Sequence, residues 1–234
     1  MANSASIPSF ASGVSVATST PRHTAVVRAT HWITTLCFFA LLVTGIEILI
    51  SHPRFYWGEA GNVSTPSLFD LPIPASRGAV KTGYGFVLPD QNGWSRSLHF
   101  QAGWVAVLTG LLYAVSGLIT GHFRKYLLPA GGRSGGDAWS YNVIQRLTYL
   151  FVIFVLFPLM IWTGLAMSPA FTSAFPVTVT AFGGQQSART IHFFVTLFLV
   201  LFVVVHIVMV WRAGFRSRTR AMITGRASEN KEQP

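Results

Sequence analysis

The segment between Arg189 and Arg212 contains no charged residue and is dominated by Phe, Leu, Val and Ile. About 20 such residues are enough to cross a bilayer, and in lipid the backbone has to satisfy its own hydrogen bonds, so this segment must be a transmembrane helix. Three further runs meet the same requirement, which places the spans at about 26–50, 98–121, 144–167 and 190–211. Only 10% of the residues are charged, against about 25% in a soluble domain. The expected fold is an all-α integral membrane four-helix bundle over residues 22–215. A disordered Ser/Ala/Thr-rich tail, 1–21, precedes it and a basic, polar tail, 216–234, follows it. The long loop 51–97, rich in Gly, Pro, Ser and aromatic residues, is expected to carry ordered structure such as a short hairpin around Gly83–Pro89.

The positive charge reads as topology. Of the 17 Lys and Arg residues, twelve lie in the N-terminal tail, the second loop, the C-terminal tail and the helix ends beside them. Five lie in the first and third loops. The positive-inside rule then puts both termini in the cytoplasm. The Arg216–Arg220 cluster fits headgroup contact at the membrane edge, and no nucleic acid is expected as a partner. Residues 1–20 have no positive charge ahead of an apolar stretch, unlike a secretory signal peptide. The single cysteine, Cys37, lies inside the first run and reads as a small core residue, with no cysteine motif for zinc or covalent haem.

Imidazoles in hydrocarbon are costly and usually functional. His192 and His206 are fourteen residues apart in the last run. That spacing is roughly 21 Å along a helix with both rings on one face. His31 lies early in the first span and His99 opens the second. By depth the four form two pairs, His31 with His206 and His99 with His192, each drawn from two helices. A haem held by one imidazole on each iron face needs this arrangement. His122 ends the second span and competes with His31 by depth, but reads better as an interfacial residue. Gly103, Gly110, Gly117 and Gly121 follow His99 on its own helix face, and Gly45 follows His31 on its face. Such faces either admit a flat macrocycle or allow close helix packing.

Other chemistries fit less well. Histidines roughly 21 Å apart in depth do not converge on one zinc ion. The inward glutamates of a di-iron bundle are missing. Glu47, the one acid within a span, is thin support for a small proton-coupled transporter. A haem-free membrane anchor is the other alternative.

A short repeat runs through the chain. Arg96-Ser-Leu-His99-Phe100 is echoed by Arg189-Thr-Ile-His192-Phe193, and Thr44-Gly45 by Thr163-Gly164. This suggests two helix pairs in the same orientation. Pro158 should kink the third span. Asn142 and Gln145 at its start either cap the helix or hydrogen-bond a quinone carbonyl. Arg28, one turn before His31, either pairs with a haem propionate or marks the membrane edge.

Arg28-Ala-Thr-His31-Trp32, Thr44-Gly45, Leu98-His99-Phe100 and Ile191-His192 with His206 resemble the bacterial cytochrome b561 / nickel-hydrogenase b-type cytochrome family over roughly residues 22–215. That family includes cytochrome b subunits of formate dehydrogenase and thiosulfate reductase, and the loop around His52–Trp57 is most similar to the thiosulfate-reductase-like members. The resemblance implies a multi-pass, membrane-anchoring electron-transfer subunit of the bacterial inner membrane, with no catalysis on a substrate of its own. It implies two haem b groups, with iron axial ligands His31 and His206 on the cytoplasmic side and His99 and His192 on the outer side. It further implies exchange with a quinone, menaquinone or ubiquinone, near Asn142 and Gln145, and with a redox partner of the molybdopterin oxidoreductase kind.

Overall fold

The computed structural model describes residues 23–62, 64–73, 92–121, 123–124 and 143–225. Long helices dominate it. Helix α1 runs Ala25–Ser51, α2 Asn92–Ile119, and α7 Gln185–Arg212. The third span is composite: α3 (Val143–Phe151), a π-helical turn (Val152–Leu156) and α4 (Phe157–Ala166). All four spans are long and apolar enough to cross a membrane. Two short helices, α5 (Pro169–Ala174) and α6 (Val177–Thr180), occupy the third loop, and α8 (Phe215–Thr224) follows α7.

Local chemistry accounts for the boundaries. Thr24 caps α1 by accepting from the Val27 N–H, which satisfies one of the orphan donors of a helix start. The break expected from Pro158 takes the form of the π turn: Phe157 N–H bonds the carbonyl of Val152, five residues back. A proline in the next position can then enter the new helix near its start, where its missing N–H costs little. Helices α2 and α7 begin before the expected spans, at Asn92 and Gln185. Their first turns are polar and project beyond the apolar run.

Close backbone packing occurs within two hairpins, α1 against α2 and α4 against α7. Among the described residues no comparable packing joins one hairpin to the other. What joins them is side chains: Phe38 of α1 packs on the cluster Val152, Leu156, Val195 and Leu199. The outward faces remain apolar and exposed, with Leu36, Leu111, Leu118 and Leu201 as examples, as lipid requires.

The first loop is ordered where it meets α7. Strand β1 (Arg54–Phe55) pairs antiparallel with β2 (Phe69–Asp70), Arg54 opposite Asp70 and Phe55 opposite Phe69. The hairpin expected at Gly83–Pro89 lies outside the described residues. Phe55, 2% exposed, stacks on Phe69 at 4.6 Å and meets Phe193 of α7 at 4.5 Å. Burying a ring of this size contributes about 1.5–3 kcal/mol. Gly58 carbonyl accepts from Gln186 and Ser187 N–H, and Ser187 Oγ accepts from Gly58 N–H at 2.7 Å. The loop thereby caps α7. Thr190 Oγ1 donates to Tyr56 carbonyl at 2.8 Å, while Arg189 donates to the carbonyls of Arg54 and His52 and lies over the Phe55 ring.

Candidate functional site

The four span histidines stand on three helices: His31 on α1, His99 on α2, and His192 and His206 on α7. All are half-buried. His31 faces His206 with ring centroids 6.4 Å apart, and His99 faces His192 at 6.3 Å. Both pairs bridge the two hairpins where their backbones stay apart. Two metal–imidazole bonds of about 2.0 Å placed back to back, with half a ring added at each end, give a centroid separation of roughly 6 Å. Each pair could therefore clasp one metal between its rings. Among the described residues no group of three or more His, Cys, Asp and Glu side chains gathers to hold a bare ion. Two axial imidazoles suit a macrocycle that supplies the equatorial ligands itself.

The two sites differ in what holds the rings. At the end away from the termini, His99 Nδ1 lies 2.9 Å from Thr44 Oγ1 and His192 Nδ1 lies 2.9 Å from Thr163 Oγ1. Thr44 is 1% exposed and Thr163 0%. Each threonine belongs to the same hairpin as the histidine it holds. The Thr-Gly repeat thus has a structural meaning: Thr44 serves α2 as Thr163 serves α7. The following glycines make room, since a Cβ on Gly45 would lie 3.5 Å from His99 Cε1 and one on Gly164 3.6 Å from His192 Cε1. Gly45 therefore faces His99, not the space beside His31 expected from its spacing. On α2, a Cβ at Gly103 or Gly110 would meet nothing within 4 Å, which fits the open face expected there. Gly117 instead receives the Phe123 ring.

At the end near the termini, His31 Nδ1 is a buried polar atom with no hydrogen-bond partner among the described residues. Its ring meets Trp32 edge-on at 5.3 Å. His206 stacks on Phe202 at 5.8 Å, and its Nδ1 lies 3.4 Å from Tyr149 Oη. Arg28, proposed for a propionate, reaches α8: it donates to the Ile223 carbonyl at 2.8 Å, leaving its Nε buried and unpartnered. Trp32 Nε1 donates to the Met222 carbonyl at 3.2 Å. Gln145 is half-buried on α3, one turn before Tyr149. Asn142 and His122 lie outside the described residues.

Sequence reasoning missed Thr44, Thr163 and Tyr149 as partners of the histidines, although the repeat had marked both threonines. It also missed α8 as a folded element held by Arg28 and Trp32.

These features define a class: a multi-pass helical membrane protein whose hairpins meet through two levels of paired imidazoles. Residues 22–225 match the model of the prokaryotic cytochrome b561 family, and the chain belongs to that family. It is accordingly a haem-b-binding electron-transfer protein of the bacterial inner membrane. It is also similar to a protein of Azospira oryzae named "Putative protein-methionine-sulfoxide reductase subunit YedZ1", 26% identical over 207 residues, covering 80% of this chain and 89% of the relative.

Proposed function

We propose that the protein holds two b haems, one between His31 and His206 and one between His99 and His192, and passes electrons between a membrane quinone and an extramembrane oxidoreductase. The observation that carries this reading is the pair of ring separations, 6.4 and 6.3 Å, at two depths along α7. When bound, each haem supplies a one-electron iron couple whose potential follows its ligands, hydrogen bonds and burial.

The chain's own residues do the rest. The four histidines hold and orient the two centres, which lie roughly 21 Å apart along α7 by helix rise. The loop clamped on Arg189 and Thr190 packs on the first turns of α7, the end that carries His192. Gln145, one turn before Tyr149 on α3, supplies a polar group for a quinone, menaquinone or ubiquinone, with Asn142 as the second such residue by sequence, and Arg28 supplies a cation for a propionate. Both termini lie in the cytoplasm, from the distribution of Lys and Arg. The partner is an oxidoreductase of the molybdopterin kind, as the family resemblance implies. The name of the Azospira oryzae relative points toward reduction of oxidised protein methionine as its task.

The test is a pyridine haemochrome assay on the purified protein together with its reduced-minus-oxidised spectrum. Two b haems per chain are expected. One haem or none in fully folded protein overturns the reading.

A further inference from the structure

The hydroxyl of a threonine has one proton. In Thr44 the hydroxyl lies 2.7 Å from the Ala40 carbonyl, and in Thr163 it lies 2.8 Å from the Leu159 carbonyl. Both bonds run back one turn within the helix, the usual habit of a buried threonine in an apolar span. With that proton donated to backbone, the oxygen can only accept from the imidazole nitrogen 2.9 Å away. The proton must then sit on Nδ1 of His99 and of His192, and Nε2 keeps its lone pair. Among the described residues, the His31/His206 end has no such arrangement. There His31 Nδ1 has no partner and His206 Nδ1 has one contact at 3.4 Å to Tyr149.

We infer that Thr44 and Thr163 are positioning residues that fix the tautomer of His99 and His192 and lower the reduction potential of the centre between them. A ring that donates from Nδ1 is a more basic ligand at Nε2, and an outer-shell acceptor is one of the levers on a metal's potential. A more basic ligand favours the ferric form. The hydroxyls would therefore hold the potential of the His99/His192 centre below the value it would have without them. This rests on the two-haem reading above.

Thr44→Val and Thr163→Val keep the β-branched shape and delete the hydroxyl, and Thr44→Ser and Thr163→Ser keep the hydroxyl. Because the histidines keep their places on α2 and α7 and the β-branched shape beside them is retained, both haems are expected to stay bound in the Val variants. The readout is a spectroelectrochemical titration of the purified holoprotein, paired with the low-spin ferric signals in electron paramagnetic resonance. Both Val substitutions are expected to raise the same one of the two midpoint potentials, leave the other in place and move one of the two ferric signals. The Ser variants are expected to match wild type. Loss of one haem in the Val variants with retention in the Ser variants supports the same role. Unmoved potentials in both Val variants, or equal effects of Val and Ser, overturn it. If Val variants fail to accumulate, Thr163→Ala, which removes bulk as well as the hydroxyl, is read by the same criteria. A wild-type preparation with fewer than two haems sinks the two-haem reading instead, and is seen before any variant is titrated.

Discussion

The imidazoles of His31 and His206 face each other across the two hairpins with centroids 6.4 Å apart and planes inclined at 51°. This is too far for ring stacking and too near for an intervening side chain. His99 and His192 repeat the relation at 58°. Removing one ring of a pair should therefore empty that level and spare the other. His99→Ala and His192→Ala are each expected to halve the haem content and to leave the same residual spectrum. His31→Ala and His206→Ala should leave the complementary one. If any single variant keeps both haems by pyridine haemochrome, or if partners leave different residual spectra, the pairing is wrong.

The glycine after each threonine sets a size limit. A Cβ at Gly164 would stand 3.6 Å from His192 Cε1, an ordinary contact, so Gly164→Ala should keep both haems. A longer side chain built toward His192 meets the ring. Gly164→Leu is expected to displace His192 and lose the haem of that end, with overpacking costing typically 1–3 kcal/mol. Gly45→Leu should do the same to His99. The haem-to-protein ratio of the four variants checks this, and a Leu variant with full haem would refute it.

The spans and the four histidines could be read from the sequence because lipid forces both. A charge-free stretch of this length has one solution in a bilayer, and an imidazole within it is conspicuous. The threonine partners could not be assigned. Thr44 and His99 are separated by 55 residues and Thr163 and His192 by 29, and a threonine in an apolar helix carries no mark of what its oxygen meets. The helices extend past the apolar spans to Asn92 and Gln185 because their first turns are polar, and hydropathy does not mark such turns as helix. Helix α8 is ten residues with three arginines. Its anchor on α1 is a pair of backbone carbonyls that accept from Arg28 and Trp32, which no periodicity reveals.

The cap of α7 depends on one backbone conformation. Gly184 has φ of 129°, a region costly for any residue with a side chain, and a Cβ there would run into the Gly58 backbone. Gly184→Ala is expected to destabilise the protein by about 1–3 kcal/mol from backbone strain. It should also free the loop at residues 54–70 for limited proteolysis. Arg189→Gln loses the two carbonyl contacts and the cation on Phe55 while leaving the backbone cap, so it should open the loop with a smaller fall in melting temperature. Equal protease resistance in wild type and Gly184→Ala would show that the loop is held elsewhere.

Helix α8 offers a test of both its docking and the sidedness of the membrane. Its end is tied to α1 by the Arg28 bond to the Ile223 carbonyl and the Trp32 bond to the Met222 carbonyl. Ile223 itself is 60% exposed, and Cys37, the chain's single thiol, is buried. Ile223→Cys therefore gives one readily labelled site. Trp32→Phe removes the indole donor and keeps most of the ring, so the loss should be about 0.5–1.5 kcal/mol, the net worth of one hydrogen bond. Since 1.4 kcal/mol is a factor of ten in an equilibrium, hydrogen exchange at residues 222–225 should speed up roughly threefold to tenfold in Trp32→Phe. Arg28→Lys should act likewise, because the ammonium does not share the reach and direction of the guanidinium N–H that meets the Ile223 carbonyl. With both termini in the cytoplasm, a membrane-impermeant maleimide should label the Ile223→Cys thiol in inverted vesicles and not in spheroplasts. Labelling in spheroplasts alone would reverse the orientation read from the charge distribution, and it would place the His31/His206 centre at the outer face.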